Sequence, residues 1–187
     1  MIALLLAALI AAPRPPKGAE PQAPAPAQQL SDEELRERVE TYLGTIDRPV
    51  SQERWKALGP QAAPILEAVI GSSSELPTRR AMAVDGLTAV SPDRAAQMVG
   101  NLARDEKQPT VVRVAAMHGA MRVYPSARVI SELRPVLRSA KSPGLRAEAA
   151  DLISRKQGGC AEVREQLGRE KAEHKPAFDR AMKRCGG

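Results

Sequence analysis

An arginine with a proline a few residues before it recurs along this chain at nearly constant spacing. The four arginines, Arg80, Arg113, Arg146 and Arg180, lie 33, 33 and 34 residues apart, and a proline stands three or four residues before each of them. A fixed period of this length is typical of arrays in which each unit is a helical hairpin that buries its apolar side only against its neighbours. The four arginines are therefore interpreted as the anchors of successive repeats.

The composition favours helices over strands. The chain is 43% hydrophobic but only 2% aromatic, so its core must be filled by Ala, Leu, Val, Ile and Met. Such side chains suit closely packed helices better than a sheet. Positions three, four and seven residues after an anchor fall on one side of a helix. We expect that side to form the core between helices: Ala83, Val84, Leu87, Ala116, Met117, Ala120, Ala149, Ala150 and Ile153.

The residues around the first repeat suggest a family. The segment opens with Leu58-Gly59-Pro60, continues with an apolar helix and a turn, and reaches a Pro-x-x-Arg-x-x-Ala motif at Pro77. This order resembles HEAT and HEAT-like repeat proteins, and the resemblance extends over about residues 58–185. It implies an all-α fold, a short α-solenoid (α/α superhelix) of about four HEAT-like helical hairpins. The motif is degenerate, so it specifies the fold and hardly any function.

Capping signals and prolines predict the helix boundaries. Ser31 with Glu34 forms a capping box before a first helix, and Ser51 caps a short second helix. In this abbreviated hairpin we expect Tyr42 and Trp55 to pack together; the alternative is an exposed aromatic anchor for a partner. Pro135 predicts a kink in its helix, or a later start. The remaining predicted helices are Pro77–Val90, Pro92–Arg104, Pro109–Tyr124, Ala127–Ser139, Pro143–Lys156, Cys160–Lys171 and Pro176–Arg184.

The N-terminal region has the pattern of an exported protein. Residues 1–12 are an unbroken apolar run, which as a helix would reach about 18 Å, too short for a hydrocarbon core of about 30 Å. We interpret it as the hydrophobic segment of a signal peptide, although the usual preceding positive charge is missing. Residues 13–29 alternate Pro and Ala and predict a disordered spacer, which leaves 30–187 as the repeat domain. We therefore expect a periplasmic or extracellular protein without a stable membrane span.

The two cysteines are the most specific chemical signal. Cys160 and Cys185 stand at the start and the end of the last predicted hairpin, where antiparallel helices bring their ends together. We expect a disulfide there, since export permits one and it would fasten the end of the array. The alternatives are two unrelated buried thiols or, without Cys-x-x-Cys spacing, a redox pair.

A second face of the same helices holds the candidate contacts. In HEAT-like arrays the second helices line the concave surface, so the resemblance implies that positions one, five and eight after each anchor face a partner. The candidate partner contacts are His118, Met121 and Asp151 at these positions, with Arg122 and Arg155 alongside them. Asp85, His118 and Asp151 share one position, which could suggest a metal or a general base. Because stacked helices lie about 8–10 Å apart, a solvated row with one ion pair is the better interpretation.

The positive charge is concentrated in the C-terminal half. Residues 122–187 hold 15 basic and 8 acidic side chains, whereas residues 30–121 hold 11 and 13. This half could attract an anionic polymer of the cell envelope, or it could simply keep the array soluble. Nucleic acid is not expected, because export and the scarcity of aromatic side chains argue against it.

Taken together, these features favour a binding protein over an enzyme. No phosphate loop, zinc motif or nucleophile elbow occurs in the sequence, so we expect no catalytic residue, cofactor or metal. The expected function is an exported, non-catalytic module that binds or scaffolds another protein or peptide through its concave surface. Binding of an anionic polymer is the alternative. A third possibility is a HEAT-like enzyme with lyase or glycosylase chemistry, which would have to use Asp85, His118 and Asp151.

Overall fold

The computed structural model describes residues 30–45 and 49–186, and the predicted signal segment and spacer lie outside this range. The described residues are all-α, with no strand. Two 3-10 segments, Pro60–Ala62 and Ala172–Phe178, accompany ten α-helices. The helices are α1 (Asp32–Leu43), α2 (Gln52–Lys56), α3 (Ala63–Gly71), α4 (Pro77–Val90), α5 (Pro92–Arg104), α6 (Thr110–Val123), α7 (Ser126–Ser139), α8 (Pro143–Ser154), α9 (Gly159–Arg169) and α10 (Asp179–Arg184).

Most helix boundaries follow the local signals in the sequence. The capping box at the start of α1 is confirmed, since Ser31 Oγ accepts from the Glu34 N–H and the Glu34 carboxylate accepts from the Ser31 N–H. α4 and α5 begin and end at the predicted residues. α8 ends at Ser154, two residues before the predicted end, because the Arg155 N–H bonds within the last turn and closes the helix.

Two prolines bear on predicted helix starts. α7 begins at Ser126 and continues through Pro135, so a later start is wrong, while the kink stays a prediction. The predicted helix from Pro176 is also wrong at its start. Pro176 has no N–H to donate to an α-helical bond, and the chain there forms tighter 3-10 turns that bury Phe178. The last α-helix therefore starts only at Asp179.

The predicted core is confirmed. All nine residues at positions three, four and seven after Arg80, Arg113 and Arg146 are at most 1% exposed. α4 packs against α6 and α6 against α8, while α5 packs against α7 and α7 against α9. Each of these helices thus contacts the helix two places along as well as its immediate neighbours, which is compatible with a helical repeat. Tyr42 and Trp55 are both buried and meet edge to face, so the exposed-anchor alternative is wrong.

Two glycines allow the helices to approach closely. Gly86 on α4 and Gly119 on α6 both lie six residues after an anchor arginine. A Cβ atom at Gly86 would lie 3.0–3.1 Å from the Trp55 ring, and one at Gly119 would lie 3.1 Å from methyl groups of Thr88 and Val99. At the same distance from an anchor arginine, an earlier part of the chain therefore approaches the helix closely in both cases, α2 at Gly86 and α4 with α5 at Gly119.

We expect Gly119→Ala to lower the free energy of unfolding by about 1–2 kcal/mol. Overpacking a core destabilises a protein by about 1–3 kcal/mol. Alanine has a better helix propensity than glycine, which offsets up to about 1 kcal/mol of this cost. Gly168→Ala is the matched control, because a Cβ atom there meets nothing within 4 Å. The control should stabilise by about 0.5–1 kcal/mol in the same urea titration. Equal effects of the two substitutions would contradict the close approach at Gly119.

The predicted disulfide is confirmed. Cys160 and Cys185 are bonded, and their Cα atoms lie 5.5 Å apart. The bond joins the first turn of α9 to the residue that follows α10, and a disulfide is compatible with export. Among the described helices, none has the length and apolar character needed to cross a membrane.

Candidate functional site

Two of the anchor arginines make the same structural contact. Arg80 Nε donates to the carbonyl oxygen of Ile70 at 2.9 Å, and Arg113 Nε donates to that of Ala103 at 3.0 Å. Each acceptor lies ten residues earlier, in the last turn of the preceding helix, where carbonyl groups lack helical partners. Both arginines are buried. They join the two helices of a hairpin and are not available to a partner.

The other two anchors differ. Arg146 still donates to a helix end, the carbonyl of Ala140, but its Nε and one terminal nitrogen bond to the Glu170 carboxylate at 2.6 and 2.7 Å. Arg180 is exposed and lies 3.5 Å from Glu148. The equivalence expected of the fourth anchor therefore does not extend to Arg180, because the irregular 3-10 segment before it changes the path of the chain.

A groove on α4 and α6 is the principal candidate site, and we call it the α4–α6 groove. Its volume is about 370 Å³. Val111 is 40% exposed there and, apart from Leu76, is the only large hydrophobic side chain exposed among the described residues. An apolar side chain left in solvent beside a concave surface is a feature of binding sites. The groove is lined by Ala81, Asp85, Val111, Val114, Ala115, His118 and Arg122.

An ion pair and a hydrogen bond fix the polar side of this groove. Arg122 bonds to the Asp85 carboxylate across α6 and α4, and its Nε donates to Thr88 Oγ1 at 3.2 Å. His118 Nε2 lies 2.9 Å from Glu148 Oε1, which connects α6 to α8. The groove therefore has an apolar floor and a polar edge whose side chains are held by the neighbouring helices.

Asp151, on α8, is buried, so the prediction of a solvated row is wrong at this residue. Its carboxylate bonds to Arg155 at 2.5 Å and lies 3.5 Å from Arg184 on α10. Burial by itself would raise the pKa of the Asp151 carboxyl, but the hydrogen bond and charge of Arg155, with Arg184, hold that pKa below its ordinary value. The Asp151 carboxylate thus orients Arg155 and Arg184 and is not itself accessible to a partner.

The five predicted partner contacts do not all lie at the groove. His118 and Arg122 line the groove, Met121 is half-buried beside them, and Arg155 is exposed over Asp151. Sequence reasoning overlooked Val111 and Val114 in the groove and Arg180 and Arg184 on α10. The rule of positions one, five and eight includes Val114, and Arg180 was predicted only as a repeat anchor, while the contact of Arg184 with Asp151 on α8 became visible only in the structure.

The shared position of Asp85, His118 and Asp151 does not form one centre. Each side chain takes its own partner: Arg122, Glu148 and Arg155. Throughout the described ranges, no group of three or more His, Cys, Asp or Glu side chains comes together in a way that could hold a metal ion. Asp85, His118 and Asp151 therefore do not form a metal site.

The arginines of the basic C-terminal half are mostly paired with carboxylates. Nine of its ten arginines lie within 4.0 Å of a carboxylate oxygen, and the tenth, Arg164, donates to the carbonyl of Cys185. Glu162 accepts from both Arg134 and Arg138, which lowers the pKa of its carboxyl. A polymer that binds this half would have to compete with these internal carboxylates.

Comparison with known proteins adds no family assignment. A scan against family models found no match, and searches of curated proteins and of solved structures found none either. The α4–α6 groove and its neighbouring ion pairs are therefore the features from which a function can be inferred.

Proposed function

We propose that the protein is an exported, non-catalytic HEAT-like repeat module that binds another protein or a peptide through the α4–α6 groove. In this proposal the helices form a short α-solenoid of about four hairpins, and the second helices line its concave surface. The observation that carries the proposal is the exposure of Val111 on an apolar floor, beside a polar edge held by the Arg122–Asp85 ion pair and the His118–Glu148 contact. Exposed apolar side chains within a pre-formed groove favour burial by a partner.

The two other functions have less support. An anionic polymer would find most arginines of the C-terminal half already paired with carboxylates. An enzyme would need converging reactive groups, whereas Asp85, His118 and Asp151 each face a different partner. Binding through the groove should weaken only modestly as salt rises, whereas binding of a polyanion should weaken steeply.

A photo-crosslinking residue at position 114 tests the proposal. Benzoylphenylalanine in place of Val114 should give a discrete adduct with a protein of the producing cell, and Val111→Asp in the same chain should reduce that adduct at least about tenfold, because a carboxylate would be buried. The expected change in stability is within about 0.5 kcal/mol, since position 111 is partly exposed.

The matched control carries the photo-crosslinking residue at Ala127, an exposed small side chain on α7 outside the groove. The control should give no such adduct, and the yield at position 114 should fall only modestly in high salt. Equal adducts from positions 114 and 127, or an adduct that Val111→Asp leaves unchanged, would contradict the proposed groove.

A further inference from the structure

We infer that the segment bound by this protein combines an apolar residue with an acidic group a few residues away. This inference rests on the proposed function and names the chemistry of the partner. The apolar residue occupies the α4–α6 groove, and the acidic group binds a neighbouring set of three arginines, which we call the arginine cluster: Arg155, Arg180 and Arg184.

The arginine cluster presents positive charge although it is paired. The side chains of Arg180, Arg184 and Arg155 are 73%, 46% and 44% exposed, whereas their carboxylate partners, Glu148 and Asp151, are only 20% and 3% exposed. The acids therefore lie beneath the guanidinium groups. Since each guanidinium has five N–H donors in a planar fork, donors remain on the outer side for an incoming carboxylate.

An unbroken series of contacts connects the cluster with the groove. His118 lines the groove and lies 2.9 Å from Glu148, and Arg180 lies 3.5 Å from the other oxygen of the same carboxylate. Arg184 reaches Asp151 one turn further along α8. The two parts therefore belong to one face formed by α4, α6, α8 and α10, and a single bound segment can contact both.

The spacing of the helices sets the length of that segment. Packed helices lie about 8–10 Å apart, so the groove on α6 and the cluster on α8 and α10 are separated by about 8–20 Å. An extended chain advances about 3.3 Å per residue, which corresponds to roughly three to six residues between the apolar and the acidic group. The charge of the cluster selects an acidic group over a basic one.

A peptide selection tests this inference. The intact protein, with its disulfide, is used to select from a phage-displayed library of random dodecamers, and the enriched peptides are then synthesised for binding by fluorescence anisotropy. We expect a large apolar residue separated by about three to six residues from Asp or Glu. The double variant Arg180→Gln, Arg184→Gln should weaken these peptides at least about tenfold, because hydrogen bonds to charged groups are lost.

Two control variants separate this inference from the proposed function. Arg128→Gln with Arg169→Gln removes the same charge from other exposed arginines and should leave the affinity unchanged. Val111→Asp should abolish binding. If Val111→Asp abolishes binding but Arg180→Gln with Arg184→Gln does not weaken it, the inference of an acidic group is refuted, and the proposal that the groove binds the segment is retained. If neither affects it, both are refuted.

Two further outcomes would also overturn the inference. Enrichment of basic peptides would show that the exposed arginines do not select the charge of the bound segment. Light scattering tests whether a second copy of the chain occupies the groove. If the protein is a dimer that Val111→Asp converts to a monomer, the groove serves self-association. A monomer at the concentrations of the selection is the expected result.

Discussion

Replacing Glu170 with alanine is expected to lower the free energy of unfolding by about 3–5 kcal/mol, the usual cost of removing one partner of a buried ion pair. The Glu170 side chain is only 2% exposed and accepts from Arg146 at 2.6 and 2.7 Å and from Gln166 at 2.8 Å. Without this carboxylate, the mostly buried Arg146 guanidinium keeps its bond to Ala140 but loses its partner of opposite charge. Urea denaturation at pH 7 measures the loss.

The same carboxylate makes this loss depend on pH. The hydrogen bond from Arg146 lowers the pKa of Glu170, and the Gln166 bond adds to it, although burial acts in the opposite direction. A carboxyl whose pKa is lower in the folded state stabilises the protein above its unfolded pKa, about 4.3, and that stabilisation is lost as pH falls through the folded pKa. The difference between wild type and Glu170→Ala should therefore shrink from pH 7 to pH 3.

Glu165→Ala serves as the control for this prediction. Glu165 also bonds to arginines, Arg138 and Arg169, but its side chain is 46% exposed. An exposed pair contributes at most about 1 kcal/mol, so this substitution should have a small effect. If Glu170→Ala were no more destabilising than Glu165→Ala, the buried pair would not hold α8 to the end of α9.

Removing the disulfide is expected to destabilise the protein by about 3 kcal/mol, the loop-closure term for a loop of this size. The bond joins residues that are 25 apart in sequence and closes the segment from α9 to α10. That segment contributes the buried Phe178 and Ala181, and both the 3-10 segment and α10 pack against α8. Cys160→Ser with Cys185→Ser should therefore loosen the C-terminal end of the fold before the rest.

Denaturation with and without a reductant, combined with amide hydrogen exchange, measures this effect. Reduction should destabilise the wild type and leave the double variant unchanged, because the described residues contain no free cysteine. Exchange should accelerate in α10 while α4 and α6 stay protected. Equal acceleration along the whole chain would contradict a local role of the bond, and an unchanged midpoint would contradict its contribution to stability.

The sequence predicted the parts of the fold that depend on local signals. Prolines at the first positions of α4 and α5 gave their starts, and helical phase from the anchor arginines identified the buried face correctly. The disulfide followed from the positions of Cys160 and Cys185 at the two ends of one hairpin. For the helix starts and the buried face, neighbouring residues or a single helical turn carry the information, whereas the disulfide needed the two ends of one hairpin.

The remaining features depend on residues that are distant in the sequence. A glycine within a helix does not reveal which neighbour approaches it, so the roles of Gly86 and Gly119 became visible only with Trp55 and Thr88 in place. The buried carboxylate of Asp151 lies 3.5 Å from Arg184, which is 33 residues away in the sequence. The candidate site was therefore predicted on the correct helices but with an incomplete set of side chains.

The close approach at Gly119 gives the most direct test that successive repeats stack on one another. Its Cβ position lies 3.1 Å from methyl carbons of Thr88 and Val99, on two different helices, and the Trp55 ring contacts Gly86 at the same repeat position. A carbon-edited NOESY spectrum of the intact protein should show cross-peaks from the Gly119 α-protons to both methyl groups, and from the Gly86 α-protons to the Trp55 ring. Helical chemical shifts for α4, α5 and α6 without these cross-peaks would contradict the stacking.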